Sequence, residues 1–299
     1  MYAQPSIFAQ GTGEHAYVEF DLLPGADPLD LVTGLATVHG PEAAVSGVSA
    51  VIAFRPELWA ALRPAAAPAG VSSFTEIVGP EITFPASQHD AWLWVAGSSR
   101  GAVFDATRTA IDAVAGCARP VSEVTGWHYQ RDRDLTGFID GTENPAGVRA
   151  VDVVTHADEP GRGSSIALVQ QWAHTPAWVD VPVADQERVI GRSKPDSVEL
   201  DEAVMPADSH VSRTVVEEEG AELKIYRRNT AYGAVTEHGT MFVGFCATQH
   251  PLQIMLERMA GVGDGVRDAL TRYTTPLTGA YYVAPSIPAL AEFVPVDED

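Results

Sequence analysis

The sequence predicts an α+β protein in which antiparallel sheets are covered by helices, built from one unit used twice. Three observations carry this. His15–Leu22 places Ala16, Val18, Phe20 and Leu22 on one side, the period-two signature of a half-buried strand. Ala91–Gly116 and Met241–Gly261 share one rhythm, an apolar strand running into an amphipathic helix. The rest of the second half repeats the strand-then-helix order of the first. The two halves are set at residues 1–128 and 129–299.

Taken in order, the first half continues with a helical pattern over Pro28–Val38. Asp27 is its N-cap and Pro28 its first residue, where a missing N–H costs nothing. Strands follow at Ser49–Phe54 and Ala91–Val95, then a helix from Gly101 to Gly116 with Val103, Ile111 and Val114 near one face and Gly116 as its stop. In the second half, Ser165–Trp172, Glu222–Arg227 and Met241–Phe245 read as strands. The helix after them carries Leu252, Met255, Leu256 and Met259 at i, i+3, i+4 and i+7. Gln130–Pro160 is rich in Gly, Asp, Arg and Pro without apolar periodicity, which reads as a functional loop. The acidic tail Phe293–Asp299 is expected to fray.

Of 299 residues, 45% are hydrophobic and 20% charged, an ordinary globular balance. Nineteen Lys and Arg against forty Asp and Glu give a net charge of −21, which argues against nucleic acid or an anionic membrane as partner. Cys117 and Cys246 sit in apolar surroundings and read as buried free thiols rather than a disulfide. The N-terminal residues lack a basic start and a long apolar run, so a soluble, cytoplasmic protein is expected.

Three clusters carry chemistry. Gly137-Phe138-Ile139-Asp140-Gly141-Thr142-Glu143-Asn144-Pro145 is turn chemistry on its own terms, but its glycines would also let backbone lie against a flat ligand with Asp140 above it. Asp208-Ser209-His210-Val211-Ser212-Arg213 holds one histidine of nine, and a lone histidine is more often structural than a ligand. Leu223-Lys224-Ile225-Tyr226-Arg227-Arg228-Asn229, if a strand, sends Leu223, Ile225, Arg227 and Asn229 to one face. Otherwise Lys224 and Arg228 face water, Arg227 ends the strand and Asn229 opens a turn.

Together, GFIDGTENP, SHVSR and IYRRN, in this order, resemble the dye-decolorising peroxidases, most closely their bacterial B-type subgroup, as does RDALTRYTTPLTGAYYVAPS. The resemblance spans residues 125–288; before that the chain agrees in rhythm alone. It implies duplicated ferredoxin-like units in a dimeric α/β-barrel-like haem peroxidase. One haem b would have its iron on His210, whose other ring nitrogen is held by a carboxylate. Asp268 is the expected partner and Asp264 the competitor. Asp140 and Arg227 match the distal acid and arginine that assist the reduction of hydrogen peroxide through an oxoferryl intermediate. Asn229 matches a distal asparagine, Phe242 a pocket-lining residue, Arg213 a partner for a haem propionate and Glu143 a residue at the haem edge. The implied reductants are dyes, phenols and Mn(II). Tyr226, Tyr232 and Trp172 lie near the motifs; packing is the ordinary role of such residues and electron relay the functional one.

The alternative is a haem-binding or haem-handling protein with incidental peroxidase activity, which would not need Asp140 and Arg227 at the open iron site. The resemblance also implies assembly of several copies. Some relatives carry a C-terminal extension that addresses them to a protein nanocompartment. This chain stops soon after Ala284-Pro285-Ser286, and encapsulation is not expected.

Overall fold

Strand β1 (Glu14–Leu22) buries both of its faces, Ala16, Val18 and Phe20 on one and Tyr17 and Glu19 on the other, in a computed structural model that describes residues 3–39, 47–130 and 133–294. The sequence marks the first face alone. The second is buried as well because it looks into a closed barrel, where large aromatic and hydrogen-bonded polar side chains replace an aliphatic pattern.

The N-terminal half runs β1, helix α1 (Pro28–Ala36), β2 (Val48–Phe54), helix α2 (Pro56–Leu62), β3 (Ala91–Gly97), helix α3 (Arg100–Val114) and β4 (Ala118–Trp127). Its strands lie antiparallel in the order β4-β1-β3-β2. The C-terminal half begins with helix α4 (Val148–Val154), β5 (Ser165–His174), helix α5 (Val183–Ile190) and helix α6 (His210–Thr214). It continues with β6 (Tyr226–Arg227), β7 (Thr230–Gly233), β8 (His238–Cys246), helix α7 (His250–Ala260), β9 (Thr274–Pro276), β10 (Ala280–Ala284) and helix α8 (Ile287–Ala291).

Here the order is β10-β5-β8-β7, the same ferredoxin-like arrangement; β6 prolongs β7 along β8, and β9 prolongs β10 along β5. The free edges of one half meet those of the other. Val283 of β10 pairs with Phe54 of β2, and Ala231 of β7 pairs with Trp127 of β4. The ring β1-β3-β2-β10-β5-β8-β7-β4 is thereby closed, which removes exposed strand edges.

Stacked rings fill the barrel. Tyr17 and Trp94 lie 6.1 Å apart, and Trp92 and Tyr282 6.2 Å apart, while Tyr282 donates to buried Glu19 at 2.6 Å. The Arg228 guanidinium sits 4.8 Å from the Trp94 ring centre rather than in water. Outside the barrel, α1 and α3 cover the first half and α7 part of the second. Cys117 and Cys246 are buried free thiols. Among the described residues no helix is long and apolar enough to cross a membrane.

Several expected boundaries shift. Asp27 accepts from the Leu29 amide and starts α1, but the helix ends at Ala36 and tightens into a 3-10 turn over Thr37–His39. Helix α3 stops at Val114 with Ala115 as its cap, so Gly116 does not end it in a left-handed turn. The strand expected at Glu222–Arg227 is interrupted: Glu217–Glu218 and Ala221–Glu222 form a separate hairpin, and only Tyr226–Arg227 joins the sheet. The expected irregular loop contains α4. At the tail, Phe293 packs on Trp59 at 5.9 Å; residues 295–299 lie outside the described residues.

One seam is fastened by a side chain. Buried Gln4 accepts from the Ile52 amide at 2.9 Å and donates to the Ile52 carbonyl at 2.7 Å and the Pro285 carbonyl at 3.1 Å. Gln4→Ala leaves buried backbone groups without partners and is expected to lower the unfolding free energy by about 2–3 kcal/mol, read from denaturant titrations.

Candidate active site

Even-numbered residues of β5 and β8 point outward from the barrel, among them Leu168, Gln170 and Trp172 from β5 and Thr240 and Phe242 from β8. Arg227 and Asn229 join this wall from β6 and the residues linking it to β7. Gly244 faces the same way, and a Cβ there would lie 3.0 Å from both Phe242 and Leu252, so a larger residue would crowd both side chains. Helix α7 covers the wall with Leu252, Met255, Leu256 and Met259. Helix α6 and residues 134–144 complete a largely apolar cavity with a few converging polar groups, the ordinary character of a ligand site.

His210 enters from the first residue of α6. Ser209 caps that helix by accepting from the Ser212 amide, and Gly191, in a left-handed conformation at the end of α5, lets the two helices touch. The His210 Nδ1 lies 2.7 Å from Oδ2 of Asp268, a fully buried carboxylate whose other oxygen accepts from the Leu270 amide. The ring is fixed in orientation, and Nε2 is left for the cavity. Asp264 instead pairs with Arg213 at 2.8 Å.

Arg213 is corrected by this geometry. It does not line the cavity: its buried guanidinium donates to the Arg258 carbonyl at 3.0 and 2.8 Å and binds Asp264 on the far side of α6. Three residues beyond His210, it is turned toward α7 and serves the helix–helix contact. Besides Arg227, the cations that line the cavity among the described residues are Arg192 and Lys224. Arg192 pairs with Glu199 and lies 3.4 Å from Glu143, which also approaches Lys224 at 3.8 Å. Glu143 is thus an exposed carboxylate at the cavity mouth.

Asp140, Arg227 and Asn229 converge. Asn229 donates from Nδ2 to Asp140 Oδ2 at 2.9 Å and accepts from the Val243 amide at 3.3 Å, which fixes its amide both ways. Nη2 of Arg227 lies 3.7 Å from Asp140 Oδ1, beyond hydrogen-bond reach. Arg227 Nε and both polar atoms of the Gln170 side chain are buried without partners. Orphaned groups lining one cavity fit a site that takes up a ligand.

The sequence does not single out Arg192, Gln170, Asn144 or Asp134. Asn144 lies inside the first motif, where its Asn-Pro was legible as a turn. The Asp134 carboxyl is enclosed beside the cavity and pushed up to about 6, first by burial and then by the Asp140 charge, against the hydrogen bonds from Thr136. Trp172 lines the cavity, whereas Tyr226 is buried inside the barrel.

Models of the N-terminal and C-terminal parts of Dyp-type peroxidases match residues 33–128 and 131–289. The chain belongs to the dye-decolorising peroxidase family. A dye-decolorizing peroxidase of Mycolicibacterium paratuberculosis is 35% identical over 283 residues, 88% of this chain and 80% of the relative. Among solved structures, a dye-decolorizing protein from V. cholerae superposes with a TM-score of 0.89 at 35% identity, covering 97% of this chain and 99% of that one. A DypB variant from Rhodococcus jostii RHA1 in complex with haem gives 0.88 at 30% identity, with 93% and 94% covered. An encapsulated DyP-type peroxidase from Mycobacterium smegmatis gives 0.88 at 30% identity, with 98% and 99% covered. The family is one of oxidoreductases acting on peroxide.

A carboxyl raised in the native state binds its proton more tightly there than in the unfolded chain, so it withdraws stability as pH climbs from about 4 through about 6. Asp134→Asn lacks this loss. Haem-free variant and wild type should diverge in thermal stability over that window, with the variant ahead, and hold a constant difference above about pH 7.

Proposed function

We propose that this peroxidase binds one haem b in the cavity, with the iron on His210 Nε2, and reduces hydrogen peroxide at the expense of organic reductants such as dyes and phenols, and of Mn(II). The observation that carries this is the cavity's pair of polar groupings, His210 with Asp268 from the helical side and Asp140 with Asn229 and Arg227 from the sheet side. The fit to haem is supported by apolar walls on both broad sides, by Arg192 and Lys224 placed for the propionates, and by the unpartnered polar atoms of Gln170 and Arg227.

When bound, the haem would supply the two electrons that reduce the peroxide. Each protein group has a separate task. Asp268 holds the His210 ring and raises its basicity. Asp140 takes the proton from the inner peroxide oxygen and returns it to the outer one. Arg227 stabilises the negative charge that grows on the departing oxygen, its guanidinium standing 3.7 Å from Asp140 rather than hydrogen-bonded to it. Asn229 keeps Oδ2 of Asp140 occupied and so aims the other oxygen. Phe242 narrows the sheet side of the cavity. Peroxide and a small reductant are the partners in this scheme, and assembly of several copies goes with it.

The double substitution Asp140→Asn with Arg227→Leu should leave haem binding intact and slow the reaction with peroxide by roughly 10³-fold or more. Stopped-flow absorbance of wild type and variant at equal haem content measures this. Equal rates would remove the peroxidase role of these residues and favour a protein that only carries haem.

A further inference from the structure

We infer that Asn144 is a positioning residue for the peroxide site, its side-chain amide standing in for an absent neighbouring strand and locking the Asp140 loop onto the Arg227 backbone. Strand β6 has β8 on one side, where the Arg228 amide donates to the Val243 carbonyl. On its other side no strand continues among the described residues: β4 ends at Trp127, opposite Ala231, before it reaches Arg227. The amide and carbonyl of Arg227 face that gap. Asn144 fills it, accepting from the Arg227 amide at 2.9 Å and donating from Nδ2 to the Arg227 carbonyl at 2.8 Å. Only a carboxamide offers an acceptor and a donor at this spacing, which is the pattern a strand residue presents.

The loop is built to deliver that amide. Gly141 takes a left-handed φ of +77° and the Asn144 amide closes a turn on the Gly141 carbonyl at 3.0 Å. Pro145 then confines the backbone of Asn144 to extended conformations. The loop is consequently held twice, by Asp140 on Asn229 and by Asn144 on Arg227, and the second hold ties the acid to the strand that carries the arginine. The fold uses the same device elsewhere, where Gln4 brackets Ile52.

The role rests on the proposed peroxide chemistry, but its test has an arm that does not. Asn144→Ala removes both bonds; Asn144→Asp keeps the volume and one acceptor while setting an oxygen against the Arg227 carbonyl. In haem-free protein, hydrogen exchange at the Arg227 amide should accelerate about tenfold or more in Asn144→Ala and by less in Asn144→Asp, which keeps the acceptor. In haem-loaded protein, the second-order rate with hydrogen peroxide should fall about tenfold, with KM for the reductant and the resting haem spectrum unchanged. Exchange at wild-type rates in both variants would overturn the clip, and accelerated exchange with an unaltered peroxide rate would overturn its link to the site. Should wild type itself ignore peroxide, the function fails while the exchange arm still decides the clip.

Discussion

Consecutive residues of a strand must point to opposite faces, and in this closed barrel one of those faces is already full. Stacked Tyr17, Trp92, Trp94 and Tyr282 occupy the interior, leaving the outer face of β5, β6 and β8 as the wall of the cavity. Arg227 and Arg228 show the consequence. Neighbours in sequence, they separate across the sheet, one into the cavity and one over Trp94, where burial weakens the hold of Arg228 on its proton. The same division sends Phe242 to the cavity and Val243 to the barrel. A register slip of one residue would exchange these roles together, so closure of the barrel at both seams is what keeps the site's side chains on the correct face.

Within the cavity, the polar groups differ in how firmly they are held. His210 is tied to a fully buried carboxylate, and Asn229 is bonded at both ends of its amide. The Arg227 side chain lacks a partner at Nε although its backbone amide and carbonyl are both held by Asn144. Orientation is spent on the groups that must stay still, and an unmet donor is kept where charge would develop. That contrast separates a site prepared for chemistry from a generic apolar pocket.

Much of this was legible in the sequence because it follows from local rules. Period two marked one face of β1, Ser165–Trp172 and Met241–Phe245 read as strands, and the stripe of Leu252, Met255, Leu256 and Met259 marked the helix that covers the cavity. Motif order brought Asp140, His210 and Arg227 to attention, and they do line one cavity. Sequence was silent where a partner lies far along the chain. Nothing local indicates that Glu19 meets Tyr282, that Asn144 meets Arg227, or that closure buries the second face of β1. Arg213 misled for a related reason: on a short helix three residues reach nearly the next turn, and the direction of the side chain was set by Asp264 and the Arg258 carbonyl rather than by spacing from His210.

The most direct measurement is the visible absorption spectrum of the haem-saturated protein before and after one equivalent of hydrogen peroxide, followed by a reductant. A histidine-ligated ferric spectrum that shifts with peroxide and returns with the reductant is the predicted result. A haem spectrum indifferent to peroxide, or no haem uptake at all, would contradict the account.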